Sequence, residues 1–156
     1  MPKAVYLETT IPSAYVTTRT DPASLFRRQI TREWWRDQAR CYELMIADNV
    51  VLELRNGDWD GREEALALVE PLPRLAIDAE VLAIAQRYVR EKLVPSDLAG
   101  DAMHLAAACV HEVDYLLTWN IRHLANPNKT EHLVVINRKL GLLTPQIVTP
   151  EALWMD

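Results

Sequence analysis

Five short runs, at residues 4–7, 42–46, 75–77, 115–118 and 146–148, alternate with stretches long enough to be helices. Apolar runs of this length bounded by turn signals read as buried strands, and the intervening stretches are 21–40, 48–54, 62–69, 78–93, 100–110 and 130–140. Several limits have local causes. Asp21-Pro22 supplies a cap and a first-turn proline, Asp48 caps another helix, and Gly57, Pro71, Pro73 and Pro95 close others. Pro12, just past the first strand, suits the start of a short helix. Strands and helices in alternation imply parallel βαβ units with right-handed crossovers. The predicted fold is therefore α/β: a three-layer α/β/α sandwich on a short central parallel sheet of about five strands, with residues 1–156 as one domain. Ligands of such sheets bind beyond the carboxyl ends of the strands, near the reversal of strand order.

With 49% hydrophobic residues the chain can bury one full core. Its 17 Lys and Arg against 22 Asp and Glu leave a net charge of −5, which argues against a protein that coats nucleic acid nonspecifically. Any contact with nucleic acid needs a local patch. Cys41 and Cys109 make neither a disulfide framework nor a zinc quartet, and Cys109 in an alanine-rich helix reads as a reduced, buried thiol. No GxxxxGK, GxGxxG or GxSxG motif is present, so nucleotide-binding loops and a serine elbow find no support. The amino terminus reaches Glu8 after too few apolar residues for a signal sequence, and no apolar run approaches the ~20 residues of a membrane span. The expectation is a soluble, cytoplasmic protein without a membrane partner.

Three carboxylates stand where this fold would gather them. Glu8 follows the first strand, Glu53 interrupts the apolar 48–54 helix, and Asp101 opens the apolar 100–110 helix. An acid directly beyond a buried strand reaches solvent or takes a partner. Several carboxylates converging on one rim suit Mg²⁺ or Mn²⁺, ions that commonly serve phosphoryl chemistry. The residues thus point to a metal-dependent nuclease, with a solvated helical Glu53 and a dipole-stabilising Asp101 as the plainer readings. His104 falls on the face of Asp101, where a hydrogen-bonded, partly buried imidazole is favoured over a zinc ligand because no Cys/His cluster accompanies it. Thr118-Trp119-Asn120 follows a strand and could hold water or phosphate, or simply form a turn. Arg28, Arg32, Arg36 and Arg40 recur every fourth residue as one basic stripe that could bind nucleic acid, with Trp34 and Trp35 available for stacking or packing. A solvated charged face is the competing reading, because Glu33 and Asp37 lie beside it.

Four segments together resemble the PIN-domain family, most closely its VapC-type ribonuclease toxins. They are Tyr6-Leu7-Glu8-Thr9-Thr10-Ile11-Pro12-Ser13, Val50-Val51-Leu52-Glu53-Leu54, Asp101-Ala102-Met103-His104-Leu105-Ala106 and Leu116-Leu117-Thr118-Trp119-Asn120, in the family's order and spacing over nearly the whole chain. The resemblance implies Mg²⁺ or Mn²⁺ held by Glu8, Glu53 and Asp101, with Thr9, Thr118 and Asn120 supporting them and RNA as substrate. It also implies a small antitoxin partner and a homodimer. Two departures stand out. Glu8 replaces the usual aspartate, and Asn120 occupies the place of a fourth acid, which leaves three carboxylates and raises a weakly active or inactive RNA- or protein-binding module as the alternative. A receiver-like signalling domain is ranked last, because Val148-Thr149-Pro150 lacks the lysine such a domain carries there.

Overall fold

The computed structural model describes all 156 residues and is α/β, with five parallel strands and helices around them. The strands are β1 (Lys3–Leu7), β2 (Tyr42–Ala47), β3 (Arg74–Leu75), β4 (Tyr115–Leu117) and β5 (Gln146–Val148). The helices are α1 (Thr10–Val16), α2 (Pro22–Asp37), α3 (Asp48–Arg55), α4 (Arg62–Val69), α5 (Ala79–Arg90), α6 (Ala99–Val110) and α7 (Pro127–Leu140). The strand order is β3-β2-β1-β4-β5, consistent with the expected three-layer sandwich. No helix is long and apolar enough to cross a membrane.

Strand β1 lies at the centre because its apolar run is buried on both faces: Val5, Tyr6 and Leu7 have no exposed surface. It pairs on one side with β2, in the register Val5 to Leu44, and on the other with β4, in the register Leu7 to Leu117. The chain leaves β1 toward β2 and β3, and then returns to lay β4 and β5 on the opposite side. The order therefore reverses between β1 and β4, and the crevice at their carboxyl ends is the expected ligand position.

Helix α6 is buried along most of its length, from Ala102 through Cys109 except Met103, so its alanines let it pack closely between the sheet and α5. Two caps act as their residue types require. Asp21 accepts from the Ser24 amide at 3.1 Å, with Pro22 in the first turn, and Asp78 accepts from the Val81 amide at 3.0 Å. The C-terminal segment is tied to α2, where the Trp34 indole donates to the Leu153 carbonyl at 2.7 Å and Gln38 bonds the Met155 backbone through both ends of its amide.

Several boundaries differ from expectation. Helix α2 stops at Asp37, and residues 39–41 form a separate 3₁₀ turn, because the chain must straighten to begin β2 at Tyr42. The third strand is Arg74–Leu75 rather than 75–77, since pairing with β2 lasts only from Ile46 to Ala47 before Asp78 caps α5. Asp48 is the first residue of α3 and does not cap it with its side chain. Helix α7 begins at Pro127, three residues before the expected start, where Asn126 accepts from the Asn128 amide.

Candidate active site

The loops leaving β1 and β4 bring Glu8 and Asn120 to the crevice, and α3 and α6 bring Glu53, Asp101 and His104 to it. Glu8 is almost fully buried, 3% exposed, directly after β1. Its amide continues the ladder by donating to the Leu117 carbonyl at 3.1 Å. Its Oε1 then collects three donors: the Thr10 amide at 3.1 Å, the Thr10 hydroxyl, and the Thr118 hydroxyl at 2.7 Å. Three hydrogen bonds on one oxygen fix the orientation of the buried carboxylate. The other oxygen, Oε2, makes no hydrogen bond and faces His104 Nε2 at 4.0 Å.

His104 occupies the centre of the site and is fully buried. Its Nε2 donates to Glu53 Oε1 at 2.6 Å, and its Nδ1 lies 2.7 Å from the Tyr6 hydroxyl and 3.1 Å from Asn49 Nδ2. The Thr9 hydroxyl donates to the other oxygen of Glu53 at 3.1 Å. Burial alone would discharge the imidazole, yet the Glu53 hydrogen bond and the charges of Glu8, Glu53 and Asp101 raise its pKa. Glu53 responds in the opposite sense. Its partial burial opposes ionisation, but the hydrogen bond and charge of His104 and the bond from Thr9 hold its pKa below the usual value. Helix α6 starts close to this pair; a Cβ on Gly100 would come within 3.6 Å of Glu53 Oε1.

Asp101, in the first turn of α6, is half-buried and lacks such help. Burial raises its pKa first, and the neighbouring charge of Glu8 raises it further, against the opposing influence of His104 and His123. Asn120 is its only direct polar neighbour, with Nδ2 3.4 Å from each carboxylate oxygen. The rest of Asn120 is held by the loop: its amide donates to the Thr118 hydroxyl at 2.9 Å, and its Oδ1 accepts from the His123 amide at 3.1 Å. An aspartate there would set two carboxylates against each other at that range.

The crevice thus brings together Glu8, Thr9, Glu53, Asp101, His104, Thr118 and Asn120. The basic stripe does not belong to it as a unit. Arg28 donates to the Thr17 carbonyl at 3.2 Å, Arg32 donates to the Tyr15 carbonyl at 2.8 Å while covering the Tyr15 ring, and Arg36 pairs with its neighbour Asp37. Arg40 lies beyond the end of α2 in the 3₁₀ turn, so the four do not share one helix face. The tryptophans are packed too: Trp34 is fully buried against Tyr42, and Trp35 meets Tyr15 edge-on.

Three contributors were not legible as such. Thr10 supplies two of the bonds to Glu8, and the signal for it was its position two residues after a strand-end acid, where a backbone amide folds back onto the side chain. Tyr6 and Asn49 reach His104 from β1 and α3, and neither carries a sequence signal beyond a core residue and a helix surface residue.

These features define an α/β protein with a buried glutamate and histidine and partly exposed acids at the switch point of a parallel sheet. No protein-family model matches the chain, and no curated protein matches it. As the side chains stand, no three His, Cys, Asp or Glu residues are grouped closely enough to hold a metal ion. The donor set nevertheless fits a hard divalent cation in its chemistry. Glu8 Oε2 is unbonded, Asp101 has only a long amide contact, and the charge of Glu8, which adds to burial in raising Asp101, is of the kind that a cation offsets.

Proposed function

We propose that the protein is a metal-dependent endoribonuclease of the PIN type, acting in the cytoplasm as the toxin of a toxin-antitoxin pair. The observation that supports this reading is that Glu8 and Glu53 both face His104 Nε2, at 4.0 and 2.6 Å, with the charge of Glu8 felt at Asp101 and with Glu8 anchored through Oε1 and open at Oε2. Glu8, Glu53 and Asp101 would hold Mg²⁺ or Mn²⁺, which supplies activation of water and neutralisation of the phosphate oxygens. The chain's own groups do the rest. Thr10 and Thr118 orient Glu8, and Thr9 and His104 orient Glu53. The carboxylates that position the ion also offer oxygens to accept the proton released when water attacks the phosphodiester. Asn120 keeps a hydrogen-bond donor beside Asp101 without adding charge. A small antitoxin covering the crevice and a second copy of the chain are the protein partners that belong to this reading.

The test is hydrolysis of RNA by the purified protein with and without Mn²⁺ or Mg²⁺. Cleavage that requires the ion and falls roughly 10²–10⁴-fold in Asp101→Asn supports the assignment. Activity unchanged by that substitution refutes the site. A second reading, a PIN-like module that binds RNA or protein with little catalysis, is favoured by Asn120 in the fourth position and by the ungrouped acids. It predicts RNA binding with no turnover in either metal.

A further inference from the structure

The surface beside the acids, over α1, forms two polar lobes that share Ser13, Thr17 and Arg19. The lobe on the Glu53 side, about 410 Å³, also contains Asp60. The other lobe, about 240 Å³, has no acid in its walls; its polar lining is Arg19, Arg27 and the hydroxyl residues Thr10, Ser13, Thr17 and Ser24. Two cations in walls without a carboxylate, in a chain of net charge −5, make a seat for an anion. Thr10 joins this seat to the acids, because the hydroxyl that lines it also bonds Glu8.

Unlike Arg28 and Arg32 of the stripe, neither arginine is tied to a backbone carbonyl. The Arg27 guanidinium lies 5.7 Å above the Trp119 ring and enters no hydrogen bond or ion pair. Arg19 meets only Asp21, at 3.3 Å, through side chains that are 78% and 44% exposed, a pair weak enough to be exchanged for a phosphate. Phe26, 48% exposed, stands edge-on to Trp119 beside Arg27 and offers an apolar ring next to the seat. Phosphate-binding cations beside a partly exposed aromatic ring are what single-stranded nucleic acid uses for its backbone and its bases.

We propose that this acid-free lobe seats the backbone of single-stranded RNA next to the cleaved bond, with Arg19 and Arg27 on its phosphates and Phe26 against a neighbouring base. The proposal rests on the nuclease reading and names the substrate contacts of that same site. Its test is fluorescence anisotropy with a short fluorescein-labelled single-stranded RNA of mixed sequence, in EDTA so that nothing is cut, over a series of salt concentrations. Arg19→Ala and Arg27→Ala are expected to weaken binding roughly tenfold each. Each should also lower the slope of log affinity against log salt by about 0.7, whereas Arg36→Ala leaves both unchanged. Arg27→Ala also loses packing on Trp119, so the exposed Arg19, whose replacement leaves the melting temperature unaltered, decides the result alone.

Absence of RNA binding by the unmodified protein, or affinity and slope unchanged in Arg19→Ala, overturns the proposal. The two readings fail separately. A protein that binds through both arginines but cuts nothing with Mn²⁺ keeps the seat and loses the nuclease. One that cuts with Mn²⁺ while its binding ignores both arginines keeps the nuclease and loses the seat.

Discussion

Glu8 spends one oxygen on the fold and leaves the other for the crevice. The additional methylene relative to aspartate lets the carboxylate extend past the strand end, and Thr10 and Thr118 fix where it goes. His104 stands where these acids need positive charge, so the metal-free protein should show its titration as stability. A histidine whose folded pKa is raised contributes stability that is full below its unfolded value of 6.5 and is lost as pH rises through the folded value. Glu53, lowered from 4.5, contributes above that value and loses its contribution as pH falls through the folded one. Asp101, raised from 3.8, adds a decline with rising pH that begins in the acid range, so the decline that starts near neutrality belongs to His104. In EDTA the melting temperature should therefore fall as pH is raised above 6.5, and Glu53→Gln should flatten that fall. A profile in this range that is identical in the unmodified protein and Glu53→Gln would show that the pair does not set the protonation of His104.

At the level of elements, the joint between α1 and α4 is the most exacting. Gly61 has φ +92°, and a Cβ there would lie 2.8 Å from Val16 Cγ2 and 3.1 Å from the Val16 carbonyl oxygen. Both the left-handed backbone and the close approach demand glycine. Gly61→Ala should cost about 1–3 kcal/mol, a drop of roughly 2–4 °C in Tm per kcal/mol, as read by thermal unfolding followed by circular dichroism. Gly57→Ala, where φ is +77° but nothing lies within 4 Å of the added Cβ, should cost less. Strands and helices were largely legible because Tyr6, Leu7, Leu116 and Leu117 form apolar runs and Asp21 and Asp78 cap helices by a local rule. What was not legible depends on partners distant in sequence. The two-residue edge strand β3 exists only by pairing with Ile46 and Ala47. Arg28 and Arg32 look free on a helical wheel, but their acceptors are the carbonyls of Thr17 and Tyr15 at the end of α1. Spacing within α2 could not show that, nor that Arg19 and Arg27 flank the acid-free lobe.

For the whole molecule, the strand order decides what meets what. Acids separated by 45 residues from Glu8 to Glu53, and by 48 from Glu53 to Asp101, become neighbours because β1 is central and α3 and α6 both begin at its carboxyl end. That these acids would lie toward the carboxyl end of the sheet was legible from the α/β pattern; that a buried histidine would be bonded to Tyr6 and Glu53 there was not. The central claim is that Glu8, Glu53 and Asp101 form one divalent-cation site weakened by Asn120. Calorimetric titration of Mn²⁺ into the unmodified protein, Asp101→Asn and Asn120→Asp tests it most directly. The account predicts affinity rising in the order Asp101→Asn, unmodified protein, Asn120→Asp, because each step adds one carboxylate to the set. No heat of binding in any of the three, or equal affinity in all, would contradict it.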